Sequence, residues 1–236
     1  VEELQPHVMT VFAAIDAVVD GDADAFDKLK VAANVMPNTA ATLAGGIATQ
    51  MPETFDGDPA SAASDLRSLL TAQLQEHVYL AGIAVYSAVA APDFFDAAAG
   101  TLDQNSQDLA ASIASVYGDP AGEAFLALWR THIGFFVDYT TARAAGDQAG
   151  QDAAKEGLIE YREDFGAFIE SANPNLPKEA VVEELQPHVM TVFAAIDAVV
   201  DGDADAFDKL KVAANVMPNT AATLAGGIAE QFGLEG

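Results

Sequence analysis

Apolar side chains recur along this chain at the spacing of an α-helix, and no useful stretch alternates apolar and polar residues as a half-buried strand does. The clearest helical stripe consists of Phe125, Leu128, Trp129, His132, Phe135, Phe136 and Tyr139. Proline follows Asp58 and Asp119, as expected for an N-cap and the first helical position. Glycine at 21, 146 and 202 marks helix ends. The pattern predicts an all-α protein.

The caps and the periodicity divide the chain into about eight helices. We expect them at about 1–20, 22–49, 59–91, 93–117, 120–145, 147–172, 177–201 and 203–232. Turns of a few residues between long helices require antiparallel neighbours. The predicted fold is an up-down array or bundle of long antiparallel helical hairpins.

A long exact repeat sets the organisation of the chain. Residues 1–48 are identical to residues 182–229, and the identity ends where Thr49 corresponds to Glu230. Natural duplicates drift apart, so this match indicates either a very recent duplication or an engineered arrangement.

A weaker repeat of about 55 residues lies in the rest of the chain. His77, His132 and His188 are spaced by 55 and 56 residues, and a turn signal follows each at a similar distance. One helical hairpin is therefore used three times, and the N-terminal copy, which contains His7, makes a fourth. We divide the chain into an N-terminal hairpin (1–49), a linker (50–58) and a six-helix domain (59–236).

Composition removes several classes of function. The 236 residues include no cysteine, which excludes a disulfide framework, thiolate metal sites, iron–sulfur clusters and c-type haem. The formal charge of -26 makes nucleic acid and anionic membrane surfaces poor partners. We expect no transmembrane helix. An excess of Asp over Glu with few lysines suits a secreted bacterial protein or one living in high salt.

The four histidines, His7, His77, His132 and His188, are the candidate metal ligands. Each lies on the apolar face of its predicted helix at the same distance from the turn, so three of them should converge on one axis. Neutral imidazoles suit copper or zinc, and two on diagonal helices suit haem b.

The alternative interpretation of the histidines is a buried polar layer, in which each ring has a hydrogen-bonding partner on the next helix. Counting across each turn gives two candidate partners per ring. They are Asn105 and Asp108 for His77, Glu160 and Asp164 for His132, and Asn215 and Asn219 for His188.

Motifs for covalent or phosphate chemistry are missing from the sequence. There is no Gly-x-Ser-x-Gly, no phosphate-binding loop followed by Lys-Ser/Thr, and no Glu-x-x-His pair for a di-iron site. We therefore expect a protein that is not an enzyme.

Three segments of the chain resemble a known group of proteins. They are Asn105-Ser-Gln-Asp-Leu-Ala, Ser115-Val-Tyr-Gly-Asp-Pro-Ala-Gly and Trp129-Arg-Thr-His-Ile-Gly-Phe-Phe-Val-Asp-Tyr-Thr. Over about 59–232 the sequence resembles an uncharacterised family of secreted bacterial helical-hairpin proteins, some of which carry a neighbouring copper-amine-oxidase N-terminal-type domain. The resemblance implies an all-α, exported protein and carries no activity.

These observations favour a non-catalytic, structural or self-assembling protein that is secreted and binds other copies of itself. The first hairpin would either complete the core of a neighbouring chain or cap its own. The alternative is a copper, zinc or haem protein that uses the histidines in the helical core.

Overall fold

A computed structural model of the chain describes residues 4–234, and all regular structure in that range is helical. The helices are α1 (Gln5–Asp20), α2 (Ala25–Asn34), α3 (Met36–Gln50), α4 (Ala62–Ala90), α5 (Phe95–Tyr117), α6 (Asp119–Ala145), α7 (Gln148–Ala172), α8 (Lys178–Asp201) and α9 (Ala206–Phe232). A 3-10 turn, Pro92–Phe94, precedes α5. The predicted fold class is confirmed.

The second predicted helix, 22–49, is the main departure from the predicted elements. It is interrupted at Val35 and forms α2 and α3, with Pro37 in the first turn of α3. The identical residues near the C-terminus form the continuous helix α9, which contains Pro218. Proline inside a helix removes one hydrogen bond and crowds the preceding turn. The same local sequence therefore forms an interrupted helix in one copy and a continuous helix in the other. Tertiary contacts decide whether the helix continues past the proline.

Helices α4 to α9 form a closed ring of three hairpins. Each helix packs on the next along the chain, and α9 packs extensively on α4, which closes the ring. The first helices of the hairpins, α4, α6 and α8, also contact one another across the middle. Their histidines are thereby brought to the centre. Within residues 4–234, none of these helices has the length and hydropathy that a bilayer-spanning segment needs.

Large side chains fill the ring at several levels. Phe165, Leu109, Leu158 and Met217 are among its fully buried members. Neighbouring helices also approach closely at glycines. A Cβ atom at Gly157, for example, would lie 2.3 Å from the ring of Phe135. These contacts indicate a densely packed core.

The N-terminal hairpin, α1 with α2 and α3, lies outside the ring. It rests on α5 and α4 chiefly through α2. Lys30 forms an ion pair with Asp108, and the Thr101 hydroxyl donates to Asp27 at 2.7 Å. Phe26 packs edge-on against an aromatic side chain at the α4–α5 turn. A mixed side of α2, with one apolar and two charged residues, therefore makes this contact.

Substitution of two glycines of α6 distinguishes the effect of close packing on stability from the effect of helix propensity. A Cβ at Gly122 would lie 2.8 Å from the Ala110 carbonyl oxygen, whereas a Cβ at Gly134 would meet nothing within 4 Å. We predict that Gly122→Ala lowers the free energy of unfolding by about 1–3 kcal/mol through overpacking. Gly134→Ala, the control, should raise it by about 0.5–1 kcal/mol. Urea denaturation of both variants checks this, and equal effects would contradict the α5–α6 packing.

Candidate functional site

His77 and His132 form a buried pair at the centre of the ring. Their Nε2 atoms lie 3.3 Å apart, and Trp129 packs edge-on against both rings. Tyr161 stacks on His132 with ring centroids 5.0 Å apart. Since a neutral imidazole has one donor and one acceptor nitrogen, one Nε2 donates and the other accepts. The predicted convergence is therefore confirmed for these two histidines.

The other two histidines occupy different surroundings. His188 on α8 is buried, lines a cavity together with His77, and packs edge-on against Phe136. His7 on α1 is half-buried and belongs to the hairpin outside the ring. The layer thus holds three histidines from the ring.

The predicted polar partners are mostly wrong. Asn105 is buried beside His77, but its amide donates to the Gln73 carbonyl oxygen and to Glu76. Asp108 pairs with Lys30 of the outer hairpin instead. The sequence did not predict these partners of Asn105 and Asp108, because the approach of α2 to α5 depends on tertiary structure.

The partners predicted for the other two rings, Glu160 and Asp164 for His132 and Asn215 and Asn219 for His188, all lie at exposed positions. Aromatic rings surround the histidines in their place. Counting across a turn gives the height of a residue on a helix, but a shift of one position turns its side chain by about 100°. The adjacent Tyr161 rather than Glu160 therefore meets His132.

Burial keeps the three histidines of the layer neutral. It lowers the pKa of His77 to about 3, helped by repulsion from His188 and opposed by the Asn105 side chain. It lowers the pKa of His188 to about 4 and that of His132 well below its ordinary value. Among the residues described, none bonds to the Nδ1 atoms of these rings. An imidazolium here would be a poorly solvated charge in an aromatic cage.

An apolar cavity adjoins the layer between α4, α8 and α9. It has a volume of about 50 Å³, and His77, His188, Phe136 and Leu210 contribute to its walls. Pockets that hold cofactors or drug-sized ligands measure about 300–1,000 Å³. The cavity thus has room for a few atoms.

Metal binding remains a prediction for His7, His77, His132 and His188. Over residues 4–234, no three His, Cys, Asp or Glu side chains are grouped as ligands of a metal ion. The His77–His132 contact has the length of a hydrogen bond. The arrangement favours the second interpretation, a buried layer of neutral rings packed among aromatics.

The duplicated hairpin is the second candidate site, because its two copies differ in exposure. Ile196 is 2% exposed in α8, and its copy Ile15 is 50% exposed in α1. Met217 is 1% exposed, and its copy Met36 is 38% exposed. We name this side of the hairpin the core face. It comprises Leu185, His188, Ile196, Met217 and Ile228, and in the N-terminal copy Leu4, His7, Ile15, Met36 and Ile47.

The outer hairpin therefore turns its core face toward solvent. Exposed large apolar side chains follow both of its long segments, namely Leu4, Val8, Met9, Phe12, Ile15, Val18, Val19, Met36, Leu43 and Ile47. Exposed apolar side chains in this number on one hairpin favour an interaction site. The sequence signal for this surface was the identity of the two hairpin copies. The ring has room for one copy only, so the other copy is left outside it.

Comparison of the chain with protein-family models, with curated proteins and with solved structures found no match.

A matched pair of histidine substitutions tests the neutral layer. The unfolded chain binds a proton at His188 below about pH 6.5, whereas the folded chain does so only near pH 4. The stability that the neutral ring allows is thus present above about pH 6.5 and is lost as the pH falls.

We predict that His188→Leu gains stability over the parent chain by about 1.4 kcal/mol per pH unit between about pH 6 and pH 4.5. His7→Leu, the same change in the outer copy, is the matched control. Guanidinium denaturation at several pH values measures both variants. Parallel pH profiles for His188→Leu and the parent would rule out a neutral buried His188.

Proposed function

We propose that this protein is a non-catalytic, exported structural protein that self-associates through the exposed core face of its N-terminal hairpin. The ring of α4 to α9 serves as a rigid body, and α1 to α3 serve as the connector. The supporting observation is the contrast between two identical sequences, one buried in a ring and one facing solvent.

The composition of the core face supports a protein partner. Its exposed side chains include Phe12, Ile15, Leu43 and Ile47, and the copies of these residues lie wholly or partly buried against other helices. Burying one such side chain contributes about 1.5–3 kcal/mol. Burial of several of them together would offset the free-energy cost of bringing two chains together.

The number of hairpins favours pairing between two outer hairpins. Each chain has one ring, and α8 with α9 already close it. The exposed core face of one chain's outer hairpin can therefore contact the equally exposed core face of a second chain's outer hairpin. Packing these two faces together gives a two-fold, self-complementary contact, which closes on itself as a dimer.

Charge opposes this association and gives it a dependence on salt. The chain carries 36 acidic and 10 basic side chains, so two copies repel each other. Salt screens charges farther apart than about 10 Å at 0.1 M and leaves apolar burial intact. Self-association should therefore strengthen as ionic strength rises.

We predict that Ile15→Asp reduces the assembly to the monomer mass of 24.5 kDa and leaves the helical content unchanged. The charged side chain would have to be buried in the contact between chains, and it is solvated in the monomer. Light scattering coupled to size exclusion, over a dilution series, measures the mass.

Two controls accompany this substitution. Ile159→Asp changes an isoleucine that is similarly exposed on α7, and it should leave the assembly intact. Ile196→Asp places the same charge in the ring copy and should destabilise the fold instead. A parent chain that is monomeric at all concentrations and salt levels would overturn the proposed function.

A further inference from the structure

The closing position of the ring is a single slot, and its walls are known because α8 and α9 fill it. We name this gap between α7 and α4 the closing slot. Leu210 of α9 packs on Gly82 of α4, Gly227 of α9 packs on Leu176, and Ile228 and Leu70 line one pocket. These contacts fix which side of a hairpin the slot accepts.

We infer that the N-terminal hairpin of the same chain is a second occupant of the closing slot and is interchangeable with α8 and α9. The inference is independent of the proposed self-association. Its first support is chemical identity, since the hairpin residues that contact the slot within 182–229 recur at 1–48. Leu29 matches Leu210, Gly46 matches Gly227, and Ile47 matches Ile228.

The polar contacts of the slot are also duplicated. Arg143 of α6 donates to Asp197 at 3.0 Å and to Asp201 at 2.7 Å. Asp16 and Asp20 stand at the matching positions of the outer hairpin. An outer hairpin in the slot would therefore satisfy the same guanidinium.

The match between the slot contacts of the two copies also includes a glutamine that lies just beyond the identical residues 182–229. Gln231 accepts from the Tyr117 hydroxyl at 2.9 Å and donates to the Ala172 carbonyl oxygen at 3.0 Å. Gln50 stands at the matching position of the outer hairpin.

The linker places the outer hairpin beside the slot. Helix α3 ends at Gln50 and α4, the helix on which α9 packs, begins at Ala62. Because Ile228 and Leu70 share a pocket, the end of α9 lies at the starting end of α4. The intervening residues 51–61 can span about 36 Å when extended. That length is enough for α3 to take the position of α9 on α4.

The outer hairpin uses another side for its present contact. Phe26, Asp27 and Lys30 rest on α5, whereas their copies Phe207, Asp208 and Lys211 are exposed on the ring. The core face is thus not consumed by this contact. In either arrangement one hairpin remains outside the ring with its core face exposed.

A disulfide reporter distinguishes the two occupants. The chain has no cysteine, so engineered pairs report without background. The chain with Gly82→Cys and Leu210→Cys should crosslink with α9 in the slot, since Leu210 Cγ lies 3.0 Å from a Cβ at position 82. The chain with Gly82→Cys and Leu29→Cys can form a disulfide within itself only when α2 replaces α9.

We expect both chains to form an intrachain disulfide, the second more slowly. Adding Met217→Ala weakens only the packing of α9 in the closing slot. It should therefore raise the rate of 29–82 disulfide formation by about tenfold or more. Adding Met36→Ala to that chain, the matched control, should remove the gain. Non-reducing gels measure the rates, and circular dichroism confirms that each variant keeps its helical content.

Two results would overturn this inference. One is a 29–82 disulfide that fails to form even when oxidation continues long after the 82–210 disulfide is complete and Met217→Ala is present. The other is a 29–82 disulfide found solely as a covalent dimer, which would place the hairpin in the slot of another copy.

Discussion

The packing of α9 against α4 is the contact on which the rest of the molecule depends. Without it, the six helices would form an open array with α4 at one edge and α9 at the other. With it, three hairpins close into a ring, and α4, α6 and α8 are held around one centre. The closure also admits only one hairpin, although the chain has two of the same sequence. The exposed core face follows from this limit.

The histidine layer is a consequence of the same closure. A hairpin repeat puts one histidine at the same height on each inner helix, and the ring brings three of them together. Burial among Trp129, Tyr161 and Phe136 then keeps the rings neutral. A His77–His132 hydrogen bond satisfies two of the ring nitrogens. The layer is best understood as a polar element of a packed core.

Sequence reasoning predicted most helix ends because they are encoded locally. The predicted N-caps were wrong, since Ser61 rather than Asp58 caps α4 and Asp119 is itself the first residue of α6. Gly146 and Gly202 adopt the left-handed conformation that ends α6 and α8, and Asp147 caps α7 with its side chain. The repeat also predicted that the histidines meet. Ring closure was not predictable from spacing, because an open array and a closed ring have the same helices and turns. The partners of His132 were missed since they depend on helix rotation.

The two hairpin copies show how far local sequence reaches. Pro37 stands in the first turn of a new helix, and Pro218 lies inside a continuous one. Forty-eight identical residues thus form different helices according to what they pack against. In the ring, burial of Met217 and Ile228 holds α9 continuous across the proline. In the outer hairpin, that packing is absent from the contacts of the described residues, and the helix is interrupted.

The inequivalence of the two copies is the central claim, and thiol labelling tests it most directly. Met36→Cys and Met217→Cys place one cysteine in identical flanking sequences, so intrinsic reactivity cancels. At a concentration where the chain is monomeric, the Met36→Cys thiol should react more than about tenfold faster, because the Met217→Cys thiol reacts only when the closed bundle opens. Equal rates at the two positions would contradict a ring that holds α8 and α9 in preference to their N-terminal copy.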